Sequence, residues 1–74
     1  MNKIPVDVEV EVRRGGEKIP KAVIWSDGRR FAISRVVYRG MSSSNEYEGI
    51  RYTVIIGSAE KYIYRVNHTW YVMA

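Results

Sequence analysis

Val6, Val8, Val10 and Val12 alternate with Asp7, Glu9, Glu11 and Arg13. Successive side chains of a strand point to opposite faces, so this period of two predicts a half-buried β-strand. A helix would spread the same valines around its circumference. Arg14-Gly15-Gly16-Glu17 follows as a turn, and Lys18 to Trp25 reads as a second strand. Pro20 has no amide proton, which places it at a strand start or on an edge. Ser26-Asp27-Gly28-Arg29 then predicts a tight hairpin turn, because Asp-Gly tolerates the positive φ such turns need.

The third strand runs from Arg30 to Arg39, but its pattern is broken. Phe31 and Ile33 share one parity, Val36 and Tyr38 the other. A bulge near Ser34-Arg35 would return both pairs to one face. Gly40 to Gly49 is the one long polar loop and the expected mobile segment, with room for a single 3₁₀ turn over 45–49. Ile50, Tyr52, Val54 and Ile56 alternate with Arg51, Thr53 and Ile55 in a fourth strand. Tyr62, Tyr64 and Val66 alternate with Ile63 and Arg65 in a fifth. Asn67-His68 turns the chain into a short closing strand, Thr69 to Met73. Five or six short strands with turn signals between them predict an all-β fold: a small barrel or strongly curved antiparallel sheet, SH3-like, with an OB-like barrel as the alternative.

Composition narrows this picture. Seventy-four residues make one domain, 1–74, and 46% hydrophobic content is ordinary for a folded chain. There is no cysteine, so neither a disulfide frame nor a thiolate metal site is available. That fits a reducing compartment, and the expected location is cytoplasmic. Apolar runs fall far short of the ~20 residues of a membrane-spanning helix. The N-terminal residues lack the apolar core of a secretory signal.

The chemistry of catalysis finds little support. His68 is the one histidine and sits in a turn. Ser42, Ser43 and Ser44 are loop composition, not a nucleophile elbow. Asp7, Glu9 and Glu11 are the polar face of a strand. Gly15-Gly16 lacks the Lys-Ser/Thr ending of a phosphate loop. The expectation is a non-enzymatic protein with no catalytic residue, no metal and no small-molecule cofactor.

Binding is better supported. The net charge is +4 and the pI about 9.6. Arginine outnumbers lysine, and its planar fork suits phosphate. Arg29, Arg30, Arg35 and Arg39 crowd the third strand, and Arg51 lies on the next. Six tyrosines stand beside one phenylalanine. Tyr52 shares the parity of Ile50 and Val54 and faces the core; Tyr62 and Tyr64, on the parity of Val66, can join it. Tyr38, Tyr47 and Tyr71 are then the ring candidates for the surface. The expected nucleic-acid-binding residues are Arg29, Arg30, Arg35, Arg39 and Arg51 for phosphates, and Tyr38, Tyr47 and Tyr71 for base stacking. The partner is RNA or single-stranded DNA; the alternative is a protein partner or a homodimer, through an edge strand and the 40–49 loop.

The Trp-x-x-Gly-Arg-x-Phe hairpin, Arg51-Tyr52-Thr53-Val54 and the terminal Trp70-Tyr71-Val72 also resemble a group of small uncharacterised bacterial all-β domains of unknown function. Those carry a Trp-Gly-Arg-Tyr hairpin, an Arg-Tyr-x-Val strand and a Trp-Tyr-x closing strand. The likeness spans most of 22–73 in order. It implies a compact β domain and brings no catalytic residue with it.

Overall fold

The structure is a computed structural model and describes residues 2–42 and 46–74. Among the described residues, seven strands follow one another: β1 (Lys3–Val12), β2 (Lys18–Ile24), β3 (Arg30–Ala32), β4 (Arg35–Met41), β5 (Ile50–Ile56), β6 (Ala59–Val66) and β7 (Thr69–Met73). They form one antiparallel sheet in the order β3-β2-β1-β7-β6-β5-β4. Every neighbouring pair is consecutive in the chain except β1 and β7. This is a meander, without the Greek-key crossing of an OB barrel. The all-β, strongly curved fold expected from the pattern is therefore present.

Two strands turn the corners that curl the sheet. In β1, Lys3 to Val6 pair with β7, whereas Asp7 to Val12 pair with β2. The other corner lies between β3 and β4, the two ends of the sheet order, which only Ile33 and Ser34 separate. The Ile33 amide donates to the Lys21 carbonyl at 2.9 Å, and the Ser34 amide donates to the Ile55 carbonyl at 2.9 Å. One extended stretch thus closes on β2 and then on β5. The broken parity of the predicted third strand is this corner, and splitting there raises the strand count to seven. The bulge itself falls later than expected, between Val36 and Tyr38. It turns Val36 inward opposite Val54 but leaves Tyr38 outward opposite Thr53.

The hairpin turns follow from their glycines. Across the Trp25–Arg29 turn, the Trp25 amide donates to the Arg29 carbonyl at 3.0 Å and the Gly28 amide to the Trp25 carbonyl at 2.9 Å. Gly28 takes a φ of 89°, the left-handed third position of a three-residue hairpin loop. The Asp27 carboxylate accepts the Arg29 amide at 3.0 Å and fixes the turn from its side chain. Pro20 lies within β2, opposite Val10, beside a register shift that relieves the ladder of its missing donor. Pro5 occupies the stretch of β1 paired with β7 alone.

The concave face holds the core: Val6, Val23, Ile33, Tyr52, Val54, Ile63 and Trp70 are buried together. Tyr52 and Trp70 pack with ring centroids 5.1 Å apart. Arg65 Nε donates to the Tyr52 hydroxyl at 3.2 Å, which satisfies the polar end of a ring otherwise fully enclosed. Each such large side chain contributes about 1.5–3 kcal/mol through the area it removes from water. Two sequence expectations are corrected here. The valine face of β1 is buried only near its start: past the register shift the hairpin projects, leaving Val12 62% exposed. In β6 the inward residue is Ile63, paired with Tyr52, so Tyr62 and Tyr64 face outward.

The segment 46–49 returns to the sheet through Gly49. Its φ is 84°, and a Cβ there would lie 2.2 Å from the Arg65 carbonyl oxygen and 2.8 Å from Val66 Cγ2. Backbone conformation and a close approach both demand glycine. Gly49→Ala is expected to destabilise the protein by at least about 2 kcal/mol, combining left-handed strain with the clash. Urea unfolding of the two proteins measures this; equal midpoints would contradict the packing described.

Candidate nucleic-acid interface

Curling buries one face of a sheet and turns the other outward. On the outward face of β4, β5 and β6, the register aligns Arg35, Ile55 and Glu60 in one row. Tyr38, Thr53 and Tyr62 form the next, and Gly40, Arg51 and Tyr64 the third. Tyr71 extends the third row onto β7. Four tyrosines and two arginines thereby share one surface, and Tyr47 joins them from the loop.

The loop divides this surface in two. Tyr64 and Tyr71 stack with centroids 4.9 Å apart and planes 10° from parallel, and Tyr47 meets Tyr64 edge-on at 5.2 Å. The Tyr71 hydroxyl donates to the Glu48 carbonyl at 2.8 Å and accepts the Glu48 amide at 3.3 Å. The Tyr47 hydroxyl reaches the Gly40 carbonyl at 3.5 Å. Lys3 Nζ donates to the Glu48 carboxylate at 2.6 Å and lies 5.0 Å from the centre of the Tyr71 ring. Together these contacts hold 46–49 over the β6–β7 end. These residues form bends rather than the expected 3₁₀ turn; Ser43, Ser44 and Asn45 lie outside the described residues.

The β4–β6 end stays open. Tyr38 is 63% exposed and Tyr62 50% exposed, on either side of the buried Thr53. Two strand spacings put them roughly 10 Å apart. Tyr38 lies over Gly40, where a Cβ would come within 2.9 Å of the ring, so the missing side chain lets the tyrosine settle on its own strand. The Arg51 guanidinium sits 4.4 Å from the Tyr62 ring centre and 4.8 Å from that of Tyr47. This double cation–π contact orients the guanidinium without neutralising it. Arg35 projects on the same face, roughly 13 Å from Arg51 along the strands. Among the described residues, neither arginine pairs with a carboxylate.

The other expected phosphate ligands lie elsewhere. Arg30 makes a fork with Glu9 at 3.0 and 2.8 Å, which holds the Glu9 carboxyl below its ordinary value of 4.5. Arg29 binds Asp27 at 2.7 Å and lies over Phe31. Both belong to the β1–β3 half of the sheet. Arg39 pairs with Tyr52 in the register, on the opposite side of β4 from Tyr38, and comes within 3.9 Å of Glu17. Tyr71 was expected at the surface and is instead 4% exposed, because its hydroxyl and ring both hold the loop. The structure thus brings Arg35, Arg51, Tyr38 and Tyr47 together, separates Arg29, Arg30, Arg39 and Tyr71 from them, and adds Tyr62. Ile63 is the one aliphatic residue in Tyr62-Ile63-Tyr64-Arg65; giving it the core position would have turned Tyr62 outward.

No family model, curated protein or solved structure matched the chain in comparison. Among the described residues, no three His, Cys, Asp or Glu side chains are grouped to hold a metal ion. Among the described residues, no helix is long and apolar enough to cross a membrane.

The loop contact has a pH signature. The hydrogen bond from Lys3, followed by its charge, holds the Glu48 carboxyl below 4.5. A lowered carboxyl stabilises the fold fully above its unfolded value, and that contribution fades as pH falls through the lowered one. An NMR titration is expected to place the Glu48 midpoint below 4.5 in the parent, and higher in Lys3→Met than in the parent. Identical midpoints would remove Lys3 from the loop contact.

Proposed function

We propose that this is a small non-enzymatic domain that binds single-stranded nucleic acid, RNA or DNA, across the outward face of β4–β6. The observation that carries this reading is the exposed pair Tyr38 and Tyr62 beside two arginines, Arg35 and Arg51, that no carboxylate among the described residues neutralises. Exposed rings accept bases of any sequence, and a planar guanidinium held on an aromatic face can meet either a phosphate or a base. The surface is an open sheet face without a protruding helix, which suits unpaired bases better than a major groove. The working compartment in this reading is the cytoplasm, in keeping with a chain that has no cysteine.

Strand addition of a protein partner or second copy along β4 is the weaker alternative. Val37, Tyr38 and Met41 are exposed on that strand, but the bulge and the two flanking arginines blunt its edge.

Fluorescence anisotropy of a labelled mixed-sequence single strand, across a salt series, tests the reading. Tyr38→Ala is expected to weaken binding by about 1–3 kcal/mol. Arg35→Ala is expected to lower the slope of log K against log salt by about 0.7, one single-strand phosphate. Arg30→Ala, whose guanidinium is committed to Glu9, is expected to bind like the parent. No binding at low salt, or a loss confined to Arg30→Ala, would overturn it.

A further inference from the structure

An apolar cleft opens between the two halves of the curled sheet, and along β6 its lining reaches Tyr62 and Tyr64. Its volume is about 510 Å³. Val23, Trp25 and Phe31 form one wall, and Ile56, Ile63 and Val72 the other. Ile63 and Val23 are buried, but Trp25, Phe31, Ile56 and Val72 are only half-buried, so apolar surface remains open to solvent at the mouth. Clefts that enclose small organic ligands measure roughly 300–1,000 Å³ and combine apolar walls with a few polar groups.

The polar group here is Lys61. It pairs with Val54 in the register, on the parity of Ile63, and so stands on the concave face. A lysine directed inward often guards a sheet edge against pairing. That role does not apply to β6, which has β5 and β7 on its two sides. Among the described residues, no carboxylate pairs with Lys61. Glu60 and Ala74 also line the cleft, and Arg29, whose guanidinium lies 5.6 Å from the ring of the lining residue Phe31, is already bound to Asp27.

We propose that this cleft binds a small amphipathic organic anion, an aliphatic or aryl monocarboxylate. Its apolar body lies between Trp25 and Phe31 on one side and Ile63 and Val72 on the other, and its carboxylate meets the Lys61 ammonium. Lys61, which among the described residues pairs with no carboxylate, offers one positive charge beside Glu60, which favours one negative charge over a polyphosphate and sets this ligand apart from a nucleic acid.

The test is an NMR titration of the labelled full chain with decanoate, kept below its micellar concentration. Decanol and a Lys61→Met variant run in parallel. Saturable shifts are expected at the Trp25 indole and at the amides of Phe31, Ile63 and Val72. Binding is expected to weaken about tenfold for decanol, and about tenfold for decanoate with Lys61→Met, the value of one charge-assisted contact. Lys61 is exposed, so the variant retains the parent's spectral dispersion. Absence of saturable shifts with decanoate, or equal affinities for decanoate and decanol, would overturn the proposal. Shifts of the same residues on raising protein concentration alone would also overturn it, by showing that a second copy covers the mouth.

Discussion

The Tyr71 hydroxyl holds the outer surface in the form described. It gives one hydrogen bond to the Glu48 backbone and takes another from it, while its ring stacks on Tyr64. A sheet without helices has only its own curl to cover it. Curl encloses the concave face around Tyr52, Ile63 and Trp70. The convex face needs a lid, and residues 46–49 supply it over β6 and β7, entered through a glycine that no side chain can replace without collision. Where that lid ends, Tyr38, Tyr62 and Arg35 are exposed, and Arg51 is half-buried between Tyr62 and the lid's Tyr47.

Charge is divided along the same line. On the β1–β3 half, most cations pair with carboxylates nearby: Arg30 with Glu9, Arg29 with Asp27, Lys21 and Arg13 with Glu11. On the β4–β6 half, among the described residues, Arg35 pairs with no carboxylate and Arg51 meets the rings of Tyr47 and Tyr62. A net charge of +4 therefore overstates how evenly the molecule attracts anions. Exposed ion pairs contribute little to stability, but they do cancel charge locally. Their uneven placement leaves Arg35 and Arg51 of the β4–β6 face, among the described residues, without a carboxylate partner.

Strand periodicity made most of the fold legible in the sequence, and the missing parts have physical causes. The parities of Val6, Val8, Tyr52 and Val54 and the Asp27-Gly28 turn are local signals, so they read directly. The corner at Ile33–Ser34 appeared only as a broken parity, because a strand that changes partners looks in sequence like a strand with an extra residue. The exposure of Val12 depends on how far the β1–β2 hairpin outruns its neighbours, which is a tertiary property. Tyr71 follows Trp70 and so faces outward; only a loop folding over it makes it buried, and nothing within Gly40 to Gly49 announces that contact. Arg30 and Arg35 look equivalent in sequence, yet the corner between them sends one to Glu9 and the other to the open face.

An amide and side-chain NMR titration with a short mixed-sequence single strand at low salt addresses the central claim most directly: that the uncovered part of the convex face is the binding surface. The account predicts shifts at Arg35, Tyr38, Arg51 and Tyr62 that shrink as salt rises, with Glu9, Arg30 and Trp25 unmoved. Shifts concentrated on the β1–β3 half, or an unchanged spectrum, would contradict it.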